Sequence, residues 1–251
     1  MTASIEVFAT SDALAHAAAD RFVSAAAAAI QASRRFTVAL SGGATPKTLY
    51  TRLATEPYVS RVQWPFVHWF WSDERCVPPD DPASNYRMAR EWLLDRVPAS
   101  DATVHRIRGE DDPTAAAAAY ERTLRESFAA PAIARFDLVL LGMGVDGHTA
   151  SLFPGGAAVR ERERWVMADY VNALSMWRVT LTPVVINAAA EVAFLVTGRA
   201  KAKTLHRALE GPFRPDALPA QVVAPSNGQA RWLVDAAAAG ELSEQVRKQR
   251  G

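Results

Sequence analysis

The stretch Phe36-Thr-Val-Ala-Leu-Ser-Gly-Gly-Ala-Thr-Pro46 decides the fold class. Phe36 to Leu40 is a short run without charge or turn residue, the pattern of a strand buried on both faces. Gly42 and Gly43 stop the run, and Pro46 suits the first turn of a helix expected through Leu53. Strand, glycine turn and helix in that order is the unit of a parallel α/β sheet. The order recurs at Phe136-Asp-Leu-Val-Leu-Leu141, which ends at Gly142, and at Val192–Val196, which a helix near Lys201–Leu209 follows.

Working outward, Ser11 is expected to cap a helix running to about Ser33, with Leu14, Ala18, Phe22, Ala25, Ala29 and Ile30 near one face. The alanine runs at 25–29 and 115–119 read as helix, because alanine is the best helix former. Phe66–Trp71 reads as a strand, and a polar loop with Pro78, Pro79 and Pro82 follows it. Ser84 or Asn85 can cap the next helix, which carries Met88, Trp92 and Leu93, and a further helix is predicted over Pro113–Phe128. Trp165–Tyr170, Val179–Leu181, Gln221–Ala224 and Trp232–Val234 complete the expected strands. The fold expected is α/β: a doubly wound, mostly parallel, Rossmann-like sheet with helices on both faces. No repeat or linker divides the chain, so one domain over 1–251 is expected. Gly211–Pro219, rich in proline, reads as a loop with room for a small appended lobe.

Composition excludes several classes of function. The chain has 251 residues and a formal charge of +1, with 22% charged and 49% hydrophobic residues. That balance is globular, and it lacks the basic excess of a nonspecific nucleic-acid binder. The single cysteine, Cys76, forbids an internal disulfide and any cluster of thiolates, which makes a reducing cytoplasm the expected compartment. The first twenty residues carry Glu6, Asp12 and Asp20 and no Lys or Arg, so no secretory leader is expected. The apolar run Ala25–Ile30 is far below the roughly 20 residues that span a bilayer, so no membrane partner is expected.

Ligands of open parallel sheets bind at the C-terminal ends of strands. That rule selects Ser41–Thr45, Ser72–Arg75, Gly142–His148 and Gly198–Lys201. At the first, Ser41, Gly42, Gly43 and Thr45 precede a helix, an arrangement suited to one phosphate group. Lys47 lacks the glycine pattern of a nucleoside-triphosphate loop. Gly142-Met-Gly-Val-Asp-Gly147 matches GxGxxG, and Asp169 lies at the distance of a ribose-binding acid. Pro154-Gly155-Gly156 breaks the required helix too early, so a dinucleotide is not expected. The loop instead offers Asp146 and His148, an acid–base pair beside glycines that leave room for a substrate. Of the other histidines, His16 and His206 fall on helices, His68 in a strand and His105 near one, as structural histidines commonly do.

In extended backbone Asp73 and Arg75 share a face and Glu74 takes the other. The pair suits a polyhydroxy ligand, although a solvated ion-pair cluster would look the same. Arg178 and Lys201 suit a phosphate but are, by spacing alone, ordinary surface cations. No HExxH or cysteine cluster supports a metal.

Six segments together resemble the 6-phosphogluconolactonase family: LSGGATP (40–46), WSDERCVPPDDPASNYRMA (71–89), FDLVLLGMGVDGHTASLFPG (136–155), RVTLT (178–182), FLVTGRAKAKTL (194–205) and LPAQVV (218–223). The resemblance implies hydrolysis of 6-phospho-D-glucono-1,5-lactone to 6-phosphogluconate in the oxidative pentose phosphate pathway. It implies no metal or organic cofactor, a sugar-phosphate lactone as the small-molecule partner, and a monomer or weak homo-oligomer. It also implies a fold shared with glucosamine-6-phosphate deaminases. His148 would be the catalytic residue, with Asp73 and Asp146 beside it. Ser41, Gly42, Gly43, Thr45, Arg178 and Lys201 would surround the phosphate, with Arg75 serving phosphate or catalysis. Ser175-Met176-Trp177 stands where the family often has prolines, and Ser151-Leu152-Phe153-Pro154 where the deaminases place a catalytic glutamate. The expected mechanism has His148 activate water and then protonate the ring oxygen, with Gly144, a neighbouring N–H or Arg75 stabilising the oxyanion. A deaminase or isomerase of amino-sugar phosphates and a non-catalytic sugar-phosphate sensor are the rival readings.

Overall fold

A computed structural model describes residues 4–129 and 133–247. The strands are β1 (Ser4–Phe8), β2 (Phe36–Leu40), β3 (Val67–Trp71), β4 (Asp73–Arg75), β5 (Leu138–Leu141), β6 (Val166–Val171), β7 (Met176–Leu181), β8 (Glu191–Val196) and β9 (Gln229–Asp235). The helices are α1 (Ser11–Ser33), α2 (Ala44–Leu53), α3 (Asn85–Trp92), α4 (Pro113–Ser127), α5 (Pro183–Ile186), α6 (Ala202–Glu210) and α7 (Glu244–Arg247).

Six strands form one wholly parallel sheet in the order β1-β9-β8-β5-β2-β3. The chain steps outward from β2 to β3, then returns to β5 and steps outward the other way through β8 and β9. Right-handed crossovers in opposite directions put their helices on opposite faces. The reversal falls between β2 and β5, whose pairing joins Val38 to Leu138 and Ala39 to Val139. Loops leaving two such neighbours diverge and open a crevice. The crevice here is bounded by the glycine turn after β2 and the GMGVDGH loop after β5.

β4, β7 and β6 form a second, antiparallel sheet. Ser72–Arg75, expected as a loop, is therefore largely a strand. Buried Ser72 makes the transfer between sheets, donating its N–H to Leu40 O at 2.8 Å and accepting from the N–H of Leu181 at 2.8 Å. The addition to the main sheet is this hairpin sheet rather than a lobe at Gly211–Pro219. That loop packs on the segment after His148, where Gly155 donates to Asp216 O at 2.9 Å. Gln221–Ala224, expected as a strand, lies instead on and after a 3-10 turn over Pro219–Val222. Pro219 restricts the backbone there, Ala220 N–H donates to Gly147 O at 2.9 Å, and the Gln221 amide donates to Ala208 O at 3.2 Å. β1 was not anticipated; at the sheet edge it is short and only partly buried.

Thr10, rather than Ser11, caps α1 by accepting from Ala13 N–H at 3.1 Å, and Arg34 ends the helix in the left-handed region. The buried face of α1 includes Leu14, Ala18, Phe22, Ala26 and Ile30, whereas Ala25 and Ala29 sit at its margin. Phe22 stacks on Trp69 at 6.1 Å and meets Phe36 edge-on at 5.2 Å. Full burial of a ring of that size contributes about 1.5–3 kcal/mol, and truncation to alanine costs more because a cavity remains. Phe194 and Trp232 stack at 3.8 Å on neighbouring β8 and β9. This core holds the two strand ends that carry the crevice.

Candidate active site

A cleft of about 340 Å³ occupies the crevice. Ser41, Gly42, Gly43 and Thr45 wall one side, Gly142, Gly144 and His148 the other, and Asp73, Arg75 and Lys201 complete the lining. All four loops selected from the sequence thus meet in one place. The volume lies within the range of small-molecule sites. Among the expected residues, Asp146 and Arg178 stand behind this wall rather than in it.

The glycine turn is built to leave donors free. Gly43 has φ +104°, a conformation that favours glycine, and no side chain caps α2. Gly42 is required for a second reason: a Cβ there would strike the Asn85 side chain. The buried Tyr50 hydroxyl grips both backbone groups of Ser41, accepting from its N–H at 3.0 Å and donating to its carbonyl at 2.7 Å. Ser41 Oγ is buried with no partner among the described residues. Thr45 Oγ1 is 2.8 Å from Thr197 Oγ1 at the end of β8. A buried hydroxyl without a partner and the amides of an uncapped helix start favour an anion.

On the opposite wall, His148 Nδ1 lies 2.6 Å from Asp146 Oδ1. A carboxylate accepts, so Nδ1 carries a proton, and in the neutral ring the lone pair is then on Nε2. Nε2 has no protein partner among the described residues. Burial pushes the Asp146 carboxyl up, but the hydrogen bond and charge of His148 outweigh it and hold it below its ordinary value. Phe153 stacks on the imidazole at 4.3 Å and fixes its plane. The loop is pinned by Thr149 Oγ1 donating to Gly142 O at 2.8 Å and Thr204 Oγ1 donating to Val145 O at 2.6 Å. Gly144 N–H donates to His148 O at 2.8 Å. That amide is engaged within the loop, which removes it as the oxyanion donor expected from the sequence.

Asp73 and Arg75 do share one face of β4, and Glu74 takes the other. Glu74 receives the N–H groups of Asn85 at 2.7 Å and Tyr86 at 2.8 Å, so it organises the start of α3. Burial raises the Glu74 carboxyl despite those donors. Asp73 is fixed by Ser151 Oγ, donating to Oδ2 at 2.7 Å, and by Asn85 Nδ2, donating to its carbonyl at 2.9 Å. Arg75 Nη1 donates to Ala83 O at 2.5 Å, while its Nε is buried and unpartnered.

Arg178 is opposite Arg75 across β4 and β7, buried, with an unpartnered Nε. Burial lowers its pKa, and Arg75 lowers it further. The Asp73 and Glu74 carboxylates on the neighbouring strand oppose that lowering, so the two guanidiniums and two carboxylates form one largely buried charged cluster. Burial also lowers the Lys201 amine, with Asp146 opposing. Asp169, the acid at dinucleotide spacing, lies away from the cleft and accepts from Ala158 N–H at 3.4 Å.

Sequence reasoning missed Asn85, Ser151 and Tyr50 as parts of the site. Each acts by hydrogen-bonding a cleft residue, a relation that local sequence spacing does not signal. No three His, Cys, Asp or Glu side chains converge as a metal site would need among the described residues. Nor is any described helix long and apolar enough to cross a membrane.

The family described as glucosamine-6-phosphate isomerases/6-phosphogluconolactonase matches residues 9–232. A 6-phosphogluconolactonase of Nostoc sp. is 40% identical over 246 residues, covering 97% of this chain and 100% of the relative. One of Haemophilus influenzae is 37% identical over 80% of this chain and 85% of its own. The solved 6-phosphogluconolactonase from Trypanosoma cruzi superposes with a TM-score of 0.86 at 30% identity, covering 96% of this chain and 97% of that one. A monomeric glucosamine-6-phosphate deaminase, 20% identical with a TM-score of 0.81 over 95% of this chain and 99% of that one, shares the fold.

Proposed function

The chain belongs to the glucosamine-6-phosphate isomerase/6-phosphogluconolactonase family, and from that membership and the geometry of the cleft we propose that it hydrolyses 6-phospho-D-glucono-1,5-lactone to 6-phosphogluconate. The observation that carries the reading is a cleft with a histidine Nε2 free of protein partners on one wall and, on the other, an uncapped helix start beside the partnerless Ser41 hydroxyl. In the pentose phosphate pathway the lactone bears both groups such a cleft addresses, a phosphate and an electrophilic carbonyl.

In this reading the phosphate sits at Ser41–Thr45 with Lys201, and with Arg178 acting from behind. His148 Nε2 takes a proton from water as the water oxygen attacks the lactone carbonyl. The imidazolium then returns that proton to the ring oxygen as the C–O bond breaks. Asp146 holds the ring in the required tautomer and stabilises the imidazolium. Asp73 orients the sugar hydroxyls, and Arg75 supplies positive charge as the carbonyl oxygen becomes anionic. The chemistry runs on these side chains without a metal, in the reducing cytoplasm suited to a protein with one half-buried thiol, as a monomer or weak homo-oligomer. The deaminase reading is weaker because Ser151 is engaged with Asp73 and no carboxylate follows His148 in its loop.

The test is NMR of freshly prepared lactone against its spontaneous hydrolysis. Wild type is expected to accelerate the loss, and His148→Ala to lose about 10²–10⁴-fold of that acceleration. Equal rates for the two proteins would remove His148 from the mechanism. No acceleration by wild type would return the sensor reading.

A further inference from the structure

Beside the cleft lies a second chamber of about 370 Å³ that shares Gly43, Ala44, Arg75 and Asn85 with it. Its remaining walls come from Lys47 on α2 and from the start and exposed flank of α3, including Arg87, Glu91 and Trp92. The charges there do not balance. Arg87 pairs with Glu91, Nε to Oε1 at 2.6 Å. Lys47 has no ion-pair partner among the described residues, and its Nζ sits 3.8 Å from the centre of the Trp92 ring. A cation over an aromatic face keeps its charge and is held in place without being neutralised. Arg75, between the two chambers, has its unpartnered Nε. The lining side chains thus include three cations and one carboxylate, with Asp80 and Asp81 acting on Arg87 from outside the lining. Both chambers also open on the uncapped first residues of α2.

We infer that this chamber is a second binding site for a phosphomonoester dianion, occupied as substrate enters and before its phosphate reaches Ser41–Thr45. The choice of substrate rests on the lactonase reading; the anion chemistry does not. Lys47 lies one helical turn from Ala44, so the phosphate passes along a single helix end from one set of donors to the next. Concentrated positive charge beside a cleft raises capture rates of an anion by about 10–10³-fold and does so less as salt increases.

Two measurements test it. In the first, acetylation of Lys47 by acetic anhydride is followed by peptide mass spectrometry, with inorganic phosphate or sodium chloride at equal ionic strength. Phosphate is expected to slow Lys47 acetylation several-fold in wild type and equally in Lys201→Ala. Absence of protection in wild type, or its loss in Lys201→Ala, would overturn the second site and leave one shared phosphate position. In the second, Lys47→Ala/Arg87→Gln is compared with Arg108→Ala/Arg122→Ala, which removes the same charge outside both chambers. The first variant is expected to lose about tenfold in kcat/KM at low salt, keep its kcat, and converge on wild type near 1 M salt, where screening acts within about 3 Å. An unchanged salt dependence, a fallen kcat, or an equal loss in the control variant would overturn the proposal. If wild type does not consume the lactone, the lactonase reading fails, and protection of Lys47 still decides the site.

Discussion

Ser151→Ala removes a single hydroxyl that ties the loop after β5 to the strand β4. Ser151 is 1% exposed and Asp73 6%, and the bond between them is short, 2.7 Å from Oγ to Oδ2. The other oxygen of the same carboxylate has only long bonds, 3.3 Å from Asn85 Nδ2 and 3.4 Å from Ser72 Oγ. A hydrogen bond to a charged group is worth about 1.5–3 kcal/mol, and deleting the donor leaves a buried oxygen unpaired, which selects the upper part of that range. A loss of about 2–3 kcal/mol lowers Tm by about 4–12 °C in a chain of this length. Turnover falls as well, by about tenfold, because Asp73 no longer has one orientation beneath the sugar. Calorimetry and the lactone NMR assay read the two effects separately. An unchanged Tm and an unchanged kcat would refute the reasoning, since β4 alone would then hold the carboxylate. A lowered Tm with full kcat would remove Asp73 from the chemistry.

Asp146→Asn is expected to cost about 10–100-fold in kcat while leaving Tm nearly unchanged, because the 44% exposed carboxylate matters for the imidazolium more than for the fold; wild-type turnover would refute the orienting role. Burial, helped by Arg35 and His105, pushes His68 down to about 4, so the folded state binds its proton less readily than the unfolded chain. Its contribution to stability is therefore complete above about 6.5 and lost as pH falls toward 4, and His68→Gln should flatten the decline of Tm over that window. An identical Tm–pH slope would contradict this. The Cys76 thiol is pushed up to about 11 by burial and by Glu74, so alkylation at pH 8 should be slow and should accelerate steadily toward pH 11; fast labelling at neutral pH would show the thiol to be activated.

Periodicity and punctuation carried the parallel sheet, because β2, β5 and β8 are continuous apolar runs ended by turn residues, and that pattern depends on local sequence alone. The strand-end rule points to the cleft as well, because loops at strand ends line it. The hairpin sheet was harder to read. Asp73-Glu74-Arg75 is wholly charged, and it is a strand because β7 supplies its partners from a distance of about a hundred residues. Gln221–Ala224 failed for the opposite reason: its apolar residues suggest a strand, but Pro219 and the hydrogen bonds of Gln221 hold a turn. Within the site, residue types that do chemistry were legible and those that hold them were not. Ser151 and Asn85 have no distinguishing spacing; their importance arises from which oxygen each happens to reach. The engagement of Gly144 N–H by His148 O is likewise a property of the folded loop.

The pairing of β1 with β9 sets a condition on how the protein is made. Ser4 aligns with Arg231, so β1 waits for a partner made more than two hundred residues later. At about 5–20 residues per second that interval is on the order of 10–50 s, during which the β1 segment has no sheet to join. Helix α1, with its long alanine-rich face, can form meanwhile from local contacts, but its packing on β9 must come after synthesis of residue 235. The half of the molecule holding β2 and β3 is available to fold early, and the half that completes the cleft through β8 arrives late. A newborn chain therefore exposes its Ser41–Gly43 turn well before it has a wall to close against it.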